Sequence, residues 1–476
     1  MALIAVLSTI TIIAIFTIIF LENDNPPKTL AWLLISIFLP GLGFLLYLIM
    51  GRQFAKTHKY RRKEALGFEQ LEKFMAYNRD AILKDKSFIE ELGDNEKLVK
   101  LISKAAYAPL TINNKTTVFE HGEDLFTDII TSLKEAKDHI HLEFYIIRSD
   151  QIGTIIKNIL LEKAQQGVEI RVIYDGLGSR TLKKSFIQEM KDNGIHVACY
   201  APFNFPWITN SLNYRNHRKI IVVDGQIGYV GGMNIGDEYR RHSDNFTHWR
   251  DSHLRIDGEA VHFLQHIFLK DWNFITEQNI SDAKYYPPIK EFEHKELIQI
   301  AASGPDTLWE PIMQMYFSMI ATANKSIYLT TPYFIPNEGI LIALKNAALS
   351  GLDVRLLIPG PSDKPFVLKA SMTYLGELLE AGVKIYQYQK GFIHSKILIV
   401  DGIISSSGTA NMDIRSFNLN FEINALIFNQ KIAKKLENIF MDDLKNSKEI
   451  DYDTYRKRPL STKLIEAQAR LFAPLL

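Results

Sequence analysis

The feature that most constrains this chain is an internal duplication. Segment 160–176, LLEKAQQGVEIRVIYDG, matches segment 344–360, LKNAALSGLDVRLLIPG. Each copy has the pattern of a helix with an apolar stripe, a glycine stop at Gly167 or Gly351, and a strand rich in β-branched residues. A match of this length indicates that one structural unit occurs twice, so we expect two similar halves.

The duplication continues on both sides of these segments. Strand-like stretches at 141–147 and 195–200 correspond to stretches at 328–335 and 383–388. Strands that alternate with helices of this length predict an α/β fold, with a mixed or parallel sheet and helices on both faces. Two such halves in tandem predict a pseudo-dimer with a pseudo-twofold axis and one active site at the shared face.

Each half also carries one copy of a polar motif. The pattern is His-x-Lys-x4-Asp, with an asparagine ten residues after the aspartate: His217, Lys219, Asp224 and Asn234 in the first half, and His394, Lys396, Asp401 and Asn411 in the second. Residues two apart on a strand share a face, so each histidine and its lysine point the same way. Two copies in register arise by chance far less than about one time in a thousand, so we treat these residues as the catalytic set.

The motifs resemble those of the phospholipase D superfamily, whose signature is this motif repeated twice. The flanking segments 249–251 (WRD), 331–336 (TPYFIP) and above all 408–422 (GTANMDIRSFNLNFE) are similar to those of bacterial cardiolipin synthases. The resemblance covers roughly residue 110 to the C-terminus, and the terminal RLFAPLL also fits that family's layout. One departure is that Gly232 in one half and Thr409 in the other stand where the superfamily often has serine.

The resemblance implies phosphodiester chemistry, which the residue types can perform. One neutral imidazole attacks phosphorus and becomes a phosphohistidine, while the other imidazole, initially protonated, gives its proton to the leaving alkoxide. By resemblance His217 is the nucleophile and His394 the acid and base. The lysines, with Asn234 and Asn411, would bind the phosphoryl oxygens. The scheme requires neither a cofactor nor a metal, and the sequence offers no convincing metal cluster.

Four carboxylates have predicted supporting roles. Aligning the repeat one strand further sets 249–251 beside 420–422, so Asp251 and Glu422 are the candidates for orienting the two imidazoles. Asp224 and Asp401 end their strands, and we expect them to support the fold through ion pairs although they belong to the motif.

The N-terminal region predicts a membrane anchor. Residues 2–21 and 30–50 contain no charged side chain, and each run is long enough to span a bilayer core as a helix. A cleaved signal peptide is the alternative for the first run, which lacks a basic n-region and is followed by a second apolar run. Basic residues directly after the second run place the rest of the chain in the cytoplasm: Arg52, Lys56, Lys59, Arg61, Arg62 and Lys63.

These features give a predicted domain order and location. Residues 1–52 form two transmembrane helices, 53–110 a helical connector, 111–300 the first half and 301–476 the second. With the resemblance, this predicts a multi-pass protein of the bacterial inner membrane whose catalytic part is cytoplasmic. The basic cluster would also contact anionic membrane lipids.

Composition narrows the functional alternatives. The net charge of only +1 disfavours a membrane-tethered nuclease or another nucleic-acid binder. The leading hypothesis is transfer of a phosphatidyl group from one phosphatidylglycerol to another, which releases glycerol and forms cardiolipin. A phospholipase D hydrolase that gives phosphatidic acid would carry the same motifs, whereas a non-catalytic lipid-binding protein would be expected to lose one histidine. The sequence does not define the oligomeric state.

Overall fold

The computed structural model describes residues 2–21, 26–47, 92, 95–202, 213–240 and 248–471. The chain divides into two compact units, Met1–Ala65 with Phe203–Tyr214, and Leu66–Pro202 with Arg215–Leu476. The predicted connector at 53–110 lies largely outside the described residues, and its described part includes helix α4 (Glu96–Ala105).

The described residues of the first unit form three helices, α1 (Ala2–Leu21), α2 (Pro26–Phe38) and α3 (Leu42–Leu46). The second apolar run is therefore interrupted between α2 and α3, where Gly41 has a φ of 79°. Gly43 allows the two segments to approach closely, because a Cβ there would lie 2.5 Å from the Ile35 carbonyl oxygen. Within the described part of the chain, no helix combines the length and the apolarity needed to cross a membrane.

The described residues of the first half form eight strands and four α-helices. In chain order these are β1 (Asn114–Phe119), α5 (Gly122–Glu135), β2 (His139–Phe144), α6 (Gln151–Gln165), β3 (Glu169–Asp175), α7 (Lys184–Asp192), β4 (His196–Tyr200), β5 (Lys219–Val223), β6 (Ile227–Gly231), β7 (Trp249–Arg250), β8 (His253–Gly258) and α8 (Ala260–Thr276). Seven of the strands form one sheet in the order β1-β8-β6-β5-β2-β3-β4. β2, β3 and β4 are parallel and the other pairs antiparallel, so the sheet is mixed.

The second half repeats this plan. Its elements are β9 (Leu297–Ser303), α9 (Pro311–Ala321), β10 (Ser326–Thr330), β11 (Phe334–Ile335), α10 (Glu338–Leu349), β12 (Asp353–Pro359), α11 (Pro365–Glu380), β13 (Lys384–Tyr388), β14 (Phe392–Ile393), β15 (Ile397–Val400), β16 (Ile404–Gly408), β17 (Met412–Asp413), α12 (Ile414–Asn418), β18 (Glu422–Phe428), α13 (Gln430–Lys445), β19 (Ser447–Glu449), α14 (Tyr452–Arg456) and α15 (Leu460–Leu471).

The strand orders of the two sheets show the duplication directly. The second sheet runs β9-β18-β16-β15-β10-β12-β13-β19, which is the order of the first sheet with one added edge strand. The predicted domain boundary between residues 300 and 301 falls inside β9, an edge-side strand that pairs with β18 of the second sheet.

Glycines with a left-handed backbone conformation end the corresponding helices of the two halves. Gly167 and Gly351 follow α6 and α10 with φ values of 90° and 89°. Gly194 and Gly382 follow α7 and α11 with φ values of 82° and 97°. Glycine tolerates this left-handed conformation without steric cost, so it ends the helix and returns the chain to the next strand.

A shared core joins the two halves. One hydrophobic cluster includes Val222 and Leu254 from the first sheet and Leu398 and Leu426 from the second, all fully buried. The opposite face of the first sheet packs against α5, α6 and α7 in a separate cluster. The predicted helices on both faces and the shared face between the halves are therefore both present.

Short stretches of backbone also pair across the halves. β7 of the first half runs parallel to β14 of the second half. An isolated parallel bridge joins Asn216 to Phe421 in the reciprocal arrangement. Each motif histidine thus lies where a strand of one half meets a strand of the other.

Candidate active site

The backbone around His217 is held by the second half. The His217 N–H donates to the Phe421 carbonyl over 3.0 Å, and the Phe421 N–H donates to the Arg215 carbonyl over 2.9 Å. This pairing brings the next residue, Glu422, against the imidazole, with His217 Nδ1 2.9 Å from Glu422 Oε2.

The backbone around His394 is held by the first half in the same way. The His394 N–H donates to the Arg250 carbonyl over 2.6 Å, and the Phe392 N–H donates to the His248 carbonyl over 2.9 Å. The carboxylate of Asp251 then lies beside the ring, with Oδ2 2.7 Å from His394 Nδ1. Each imidazole therefore meets a carboxylate from the opposite half.

The carboxylates define the state of both rings. An ionised carboxylate only accepts hydrogen bonds, so Nδ1 of each histidine must carry the proton that it donates. Nε2 is then the nitrogen with a free lone pair, which is the atom that can attack phosphorus or accept a proton. The two side chains are nearly enclosed, with 13% of His217 and 9% of His394 exposed.

The two motif lysines lie beside their histidines. Lys219 Nζ donates to the His217 carbonyl over 2.7 Å, and Lys396 Nζ donates to the His394 carbonyl. Lys396 Nζ is also 2.9 Å from His394 Nδ1, but that nitrogen already donates to Asp251, so this contact is electrostatic. Ammonium groups retain further donors that can bind an anionic oxygen.

Burial and mutual repulsion depress the pKa values of all four motif cations. Burial lowers the pKa of His217 to about 4 and of His394 to about 3, while Glu422 and Asp251 oppose the shift and the lysines add to it. Burial lowers the pKa of Lys219 to about 7 and of Lys396 to about 8. The charge of Lys396 lowers the pKa of both Lys219 and His217, which places the two motifs in one electrostatic site.

The orienting carboxylates remain ionised despite their burial. Burial alone would raise the pKa of Asp251, but the charges of His394 and Lys396 lower it below its ordinary value. For Glu422, burial is likewise outweighed by His217 and Lys219. Both groups are fully buried, so these charges depend on the imidazoles and lysines around them.

The two orienting carboxylates are supported differently. Glu422 also accepts hydrogen bonds from the Thr409 hydroxyl over 2.6 Å and from the Asn420 amide over 3.2 Å. At the position that corresponds to Thr409 stands Gly232, where a Cβ would lie only 2.0 Å from Asp251 Oδ1. The missing side chain makes room for the shorter carboxylate of Asp251. The two residues that depart from the serine pattern thus fit different carboxylates: Thr409 is paired with Glu422, and Gly232 is paired with Asp251.

This asymmetry predicts the effects of small substitutions. Thr409→Val, which keeps the shape but loses the hydroxyl, should lower kcat about tenfold, because a buried hydrogen bond to a charged group is lost. Gly232→Ala should lower kcat further, about a hundredfold, because its Cβ displaces Asp251 from His394. Steady-state kinetics tests both, with Thr409→Ser as the control that keeps the hydroxyl. Wild-type kcat in Gly232→Ala would contradict the role of Asp251.

The two motif asparagines, Asn234 and Asn411, are buried. The Asn234 side chain accepts from the Ile146 N–H over 3.1 Å and donates to the Tyr239 hydroxyl over 3.1 Å. One of its two amide hydrogens remains for a phosphoryl oxygen. The Asn411 amide oxygen is buried without a hydrogen bond in the described chain. Binding of phosphate by these two side chains stays a prediction.

The motif aspartates lie away from the imidazoles. Asp224 accepts hydrogen bonds from three backbone N–H groups, those of Lys137, Asp138 and His139, over 2.8 to 3.0 Å. Asp401 does the same for residues 324–326 over 2.7 to 2.9 Å. Each aspartate is five residues along the chain from its lysine, which corresponds to roughly 16 Å along a strand.

The predicted ion pairs of these aspartates need correction. Neither Asp224 nor Asp401 is placed to touch the reacting atoms, and backbone hydrogen bonds replace the predicted ion pairs. Both residues have positive φ values, 51° and 58°, at the turn that follows the motif strand. Each carboxylate fixes this turn to the start of the neighbouring strand β2 or β10.

We expect Asp224→Asn to act on stability and not on catalysis. The amide can accept fewer and weaker hydrogen bonds from the three backbone N–H groups, so the free energy of unfolding should fall by about 2 kcal/mol. Thermal unfolding measures this loss, and kcat per folded molecule should stay within about twofold of wild type. A large loss of kcat without a loss of stability would contradict the structural role.

Two aromatic side chains line the site. The Tyr145 ring lies edge-on to His217 with centroids 5.0 Å apart, and Lys219 Nζ is 5.6 Å from that ring. On the other side, the Trp249 ring is 5.2 Å from His394. Trp249 belongs to the WRD segment, whereas Tyr145 follows a buried strand and carried no signal of its own.

Among the described residues, no group of three His, Cys, Asp or Glu side chains could hold a metal ion.

Comparisons with solved structures agree with this fold. Phosphatidylserine synthase from Haemophilus influenzae Rd KW20 matches with a TM-score of 0.59 and 14% identity, over 80% of this chain and 100% of that one. Polyphosphate kinase from Porphyromonas gingivalis matches with a TM-score of 0.51 and 12% identity, over 76% of this chain and 54% of that one. At these identities the likeness shows the fold alone.

The class of protein follows from the family models. Segments 129–272 and 316–444 match the model described as "Cardiolipin synthase, PLD-like domain", one segment in each half. Segment 9–52 matches the model "Phospholipase_D-nuclease N-terminal". The duplicated fold and the paired histidine-lysine motifs are therefore those of a phospholipase D-like protein.

Full-length relatives define the family more narrowly. Cardiolipin synthase from Geobacillus sp. (strain WCH70) is 45% identical over 99% of this chain and 93% of its own length. Those from Halalkalibacterium halodurans and Staphylococcus aureus (strain Mu50) are 46% and 44% identical, over 99% and 97% of this chain and 93% and 94% of their own lengths. The chain belongs to the cardiolipin synthase family.

Proposed function

We propose that this protein transfers a phosphatidyl group from one phosphatidylglycerol to the terminal hydroxyl of another, forming cardiolipin and releasing glycerol. The observation that carries the proposal is the pair of enclosed imidazoles, each oriented by a carboxylate, in a chain of the cardiolipin synthase family. The donor and the acceptor are the same lipid, so one imidazole can protonate the departing glycerol oxygen and later accept the proton of the attacking hydroxyl.

The first step forms a phosphohistidine. Nε2 of His217 attacks the phosphorus of the donor lipid, and the bond from phosphorus to the glycerol headgroup oxygen breaks. His394 gives its Nε2 proton to that oxygen, so glycerol leaves as a neutral alcohol. In this proposal His217 stays neutral, and the negative charge of the bound phosphodiester raises the pKa of His394, so that His394 enters this step protonated. Lys219 and Lys396 stabilise the negative charge on the phosphoryl oxygens.

The second step consumes the intermediate. The terminal hydroxyl of the second phosphatidylglycerol attacks the phosphohistidine, and the bond between phosphorus and His217 breaks. His394 accepts the hydroxyl proton and returns to its protonated state. The enclosure of both imidazoles limits the access of water to the intermediate, which favours transfer over hydrolysis.

Product analysis separates the candidate reactions. The purified protein is given phosphatidylglycerol in detergent or vesicles, and the products are identified by mass spectrometry. Cardiolipin and glycerol in equal amounts are expected. Phosphatidic acid as the sole lipid product would replace the proposal with a hydrolase, and the absence of turnover would refute both.

The lysines predict a characteristic pH dependence. Each lysine must be protonated to bind the phosphoryl oxygens, and it is protonated only below its pKa. Burial lowers these pKa values to about 7 for Lys219 and about 8 for Lys396. The kcat/KM of the free enzyme should therefore fall as pH rises through 7 to 8, far below the ordinary range of lysine.

Steady-state kinetics between pH 5 and 9.5 tests this dependence. Lys396→Arg provides the control, because arginine stays charged throughout this range. Its alkaline limb should be shallower, since only the Lys219 charge is then lost. A wild-type kcat/KM that stays constant up to pH 9.5 would contradict the depressed lysine pKa values.

We further propose that the N-terminal region anchors the protein in the bacterial inner membrane, with the catalytic halves in the cytoplasm. The proposal is supported by the uncharged runs 2–21 and 30–50, by the basic residues after residue 51, and by the match of 9–52 to an N-terminal family model. Such an anchor would raise the local concentration of lipid substrates. Release of the full chain from membranes by alkaline carbonate would refute it.

A further inference from the structure

The C-terminal helix α15 has an inverted distribution of apolar side chains. The side chains that face the protein are Thr462, Glu466 and Ala469, of which Glu466 is 4% exposed. Three leucines point to solvent instead, with exposed fractions of 73%, 56% and 80%: Leu460, Leu464 and Leu471. A surface helix of a globular protein normally shows the opposite arrangement.

The leucines form a continuous stripe. At 100° per residue, Leu460, Leu464 and Leu471 fall within about 40° of one another around the helix. Ala469 and Thr462 lie on the opposite side. We call Leu460, Leu464 and Leu471 the leucine stripe.

Polar contacts fix the helix in this rotation. Glu466 pairs with Arg458 over 2.8 Å, and the Arg458 guanidinium lies 3.5 Å from the centroid of the Tyr455 ring. Further along, the Arg470 guanidinium lies 4.4 Å from the centroid of the Tyr374 ring on α11. Turning the leucines inward would break the pair of Glu466 with Arg458 and expose a charge that is now neutralised. These contacts therefore keep the leucine stripe facing solvent.

The surface around the stripe is basic. Four exposed cations lie on or just before α15: Arg456, Lys457, Lys463 and Arg470. The only acidic residue between 454 and 471 is Glu466, which is buried and paired. An exposed apolar stripe flanked by lysine and arginine is the pattern of a helix that lies in the interface of an anionic bilayer.

We propose that the leucine stripe of α15 inserts into the surface of the anionic bilayer that contains the lipid substrate. The leucines would lie at the level of the upper acyl chains, and Lys463 and Arg470 would contact lipid phosphates. This proposal rests on the proposed function in one respect, because that function identifies the lipid as phosphatidylglycerol. It is separate from the N-terminal anchor, because α15 belongs to the other compact unit.

A second copy of the chain is the less suitable occupant. Two α15 helices packed stripe to stripe would bring Lys463 and Arg470 of both copies together with no exposed acid between 454 and 471 to compensate them. Like charges at such a contact are unfavourable, whereas lipid phosphates would neutralise them.

Fluorescence quenching in vesicles tests the contact with the full chain. The single native cysteine is removed by Cys199→Ala, and a new one is introduced by Leu464→Cys for labelling with an environment-sensitive fluorophore. The matched control is Leu349→Cys, which replaces a leucine that is 71% exposed at the end of α10. Both proteins are reconstituted into phosphatidylglycerol vesicles that contain nitroxide-labelled lipid.

Strong quenching at position 464 and weak quenching at position 349 are expected. Quenching at 464 should weaken when phosphatidylglycerol is replaced by phosphatidylcholine, and equal quenching in the two lipids would overturn the anionic preference. Protection from both the nitroxide lipid and aqueous iodide would show a protein partner and overturn the proposal. Quenching by iodide alone would show a free helix and overturn it as well.

A parallel assay keeps this result apart from the proposed function. Cardiolipin formation by the wild-type chain is measured with phosphatidylglycerol dispersed in detergent, where no bilayer is present. Absence of product there would refute the proposed function and leave the quenching result standing. A Leu460→Ser, Leu464→Ser, Leu471→Ser variant should keep this detergent activity within about twofold, because its substitutions lie outside the catalytic site, and lose activity on vesicles.

Discussion

A His394→Ala variant is expected to lose at least about 10⁴-fold in transfer from phosphatidylglycerol, yet still to attack a lipid with a good leaving group. The proposed role of His394 is to protonate the departing glycerol oxygen. A p-nitrophenyl ester of phosphatidic acid needs no such proton, because p-nitrophenolate leaves as an anion. This variant should therefore release about one p-nitrophenolate per active site in a burst and then stop as a phosphohistidine.

A His217→Ala variant should lose both reactions by at least about 10⁴-fold, because no nucleophile remains. Stopped-flow absorbance measures the burst, and mass spectrometry locates the phosphoryl group on the protein. His196→Ala is the matched control, since His196 is exposed on β4 and away from the motifs. A burst in His217→Ala with a phosphoryl group on His394 would reverse the assignment.

The second large effect is expected from the orienting carboxylates. Glu422→Gln and Asp251→Asn should each lower kcat by about 10³-fold or more, because a neutral amide can hold the imidazole in the wrong tautomer and does not stabilise its charged form. The structure predicts which reaction each change impairs. Glu422 contacts His217, and Asp251 contacts His394, although each carboxylate belongs to the other half.

The burst assay distinguishes this crossed arrangement from a direct one. Asp251→Asn should behave like His394→Ala, with a normal burst and no turnover, whereas Glu422→Gln should slow the burst itself. Asp224→Asn serves as the control carboxylate, because it should leave the burst of the folded protein unchanged. If Asp251→Asn slowed the burst and Glu422→Gln did not, the roles of the two imidazoles would be exchanged.

The sequence was informative where the chemistry depends on local spacing. His217 with Lys219, and His394 with Lys396, could be placed on one face of a strand from their separation by two residues. The glycine stops at Gly167 and Gly351 likewise required only the residue type and its position after an apolar stripe. These features need no knowledge of how distant segments meet.

The sequence was less informative where segments far apart come together. The repeat alignment named Glu422 and Asp251 as orienting carboxylates but did not indicate which imidazole each one meets. Glu422 and His217 are 205 residues apart and are brought together by a strand pairing between the halves. The motif grouped Asp224 with the catalytic residues, but strand β5 separates the two. Lys219 begins this strand and Asp224 follows its last residue. Thr409 appeared only as a departure from a pattern, and its hydrogen bond to Glu422 gives that departure a physical reason.

The exchange of carboxylates between the halves has a consequence for how such a chain is made in the cell. During synthesis the first half emerges complete with His217 and Lys219, but its orienting partner Glu422 is still about 200 residues away in the untranslated message. A nascent chain that ends before the second half lacks Glu422, His394 and Lys396, so its catalytic site is incomplete. The catalytic site is complete only when the second half has folded and packed against the first. Completion of the whole chain therefore precedes activity.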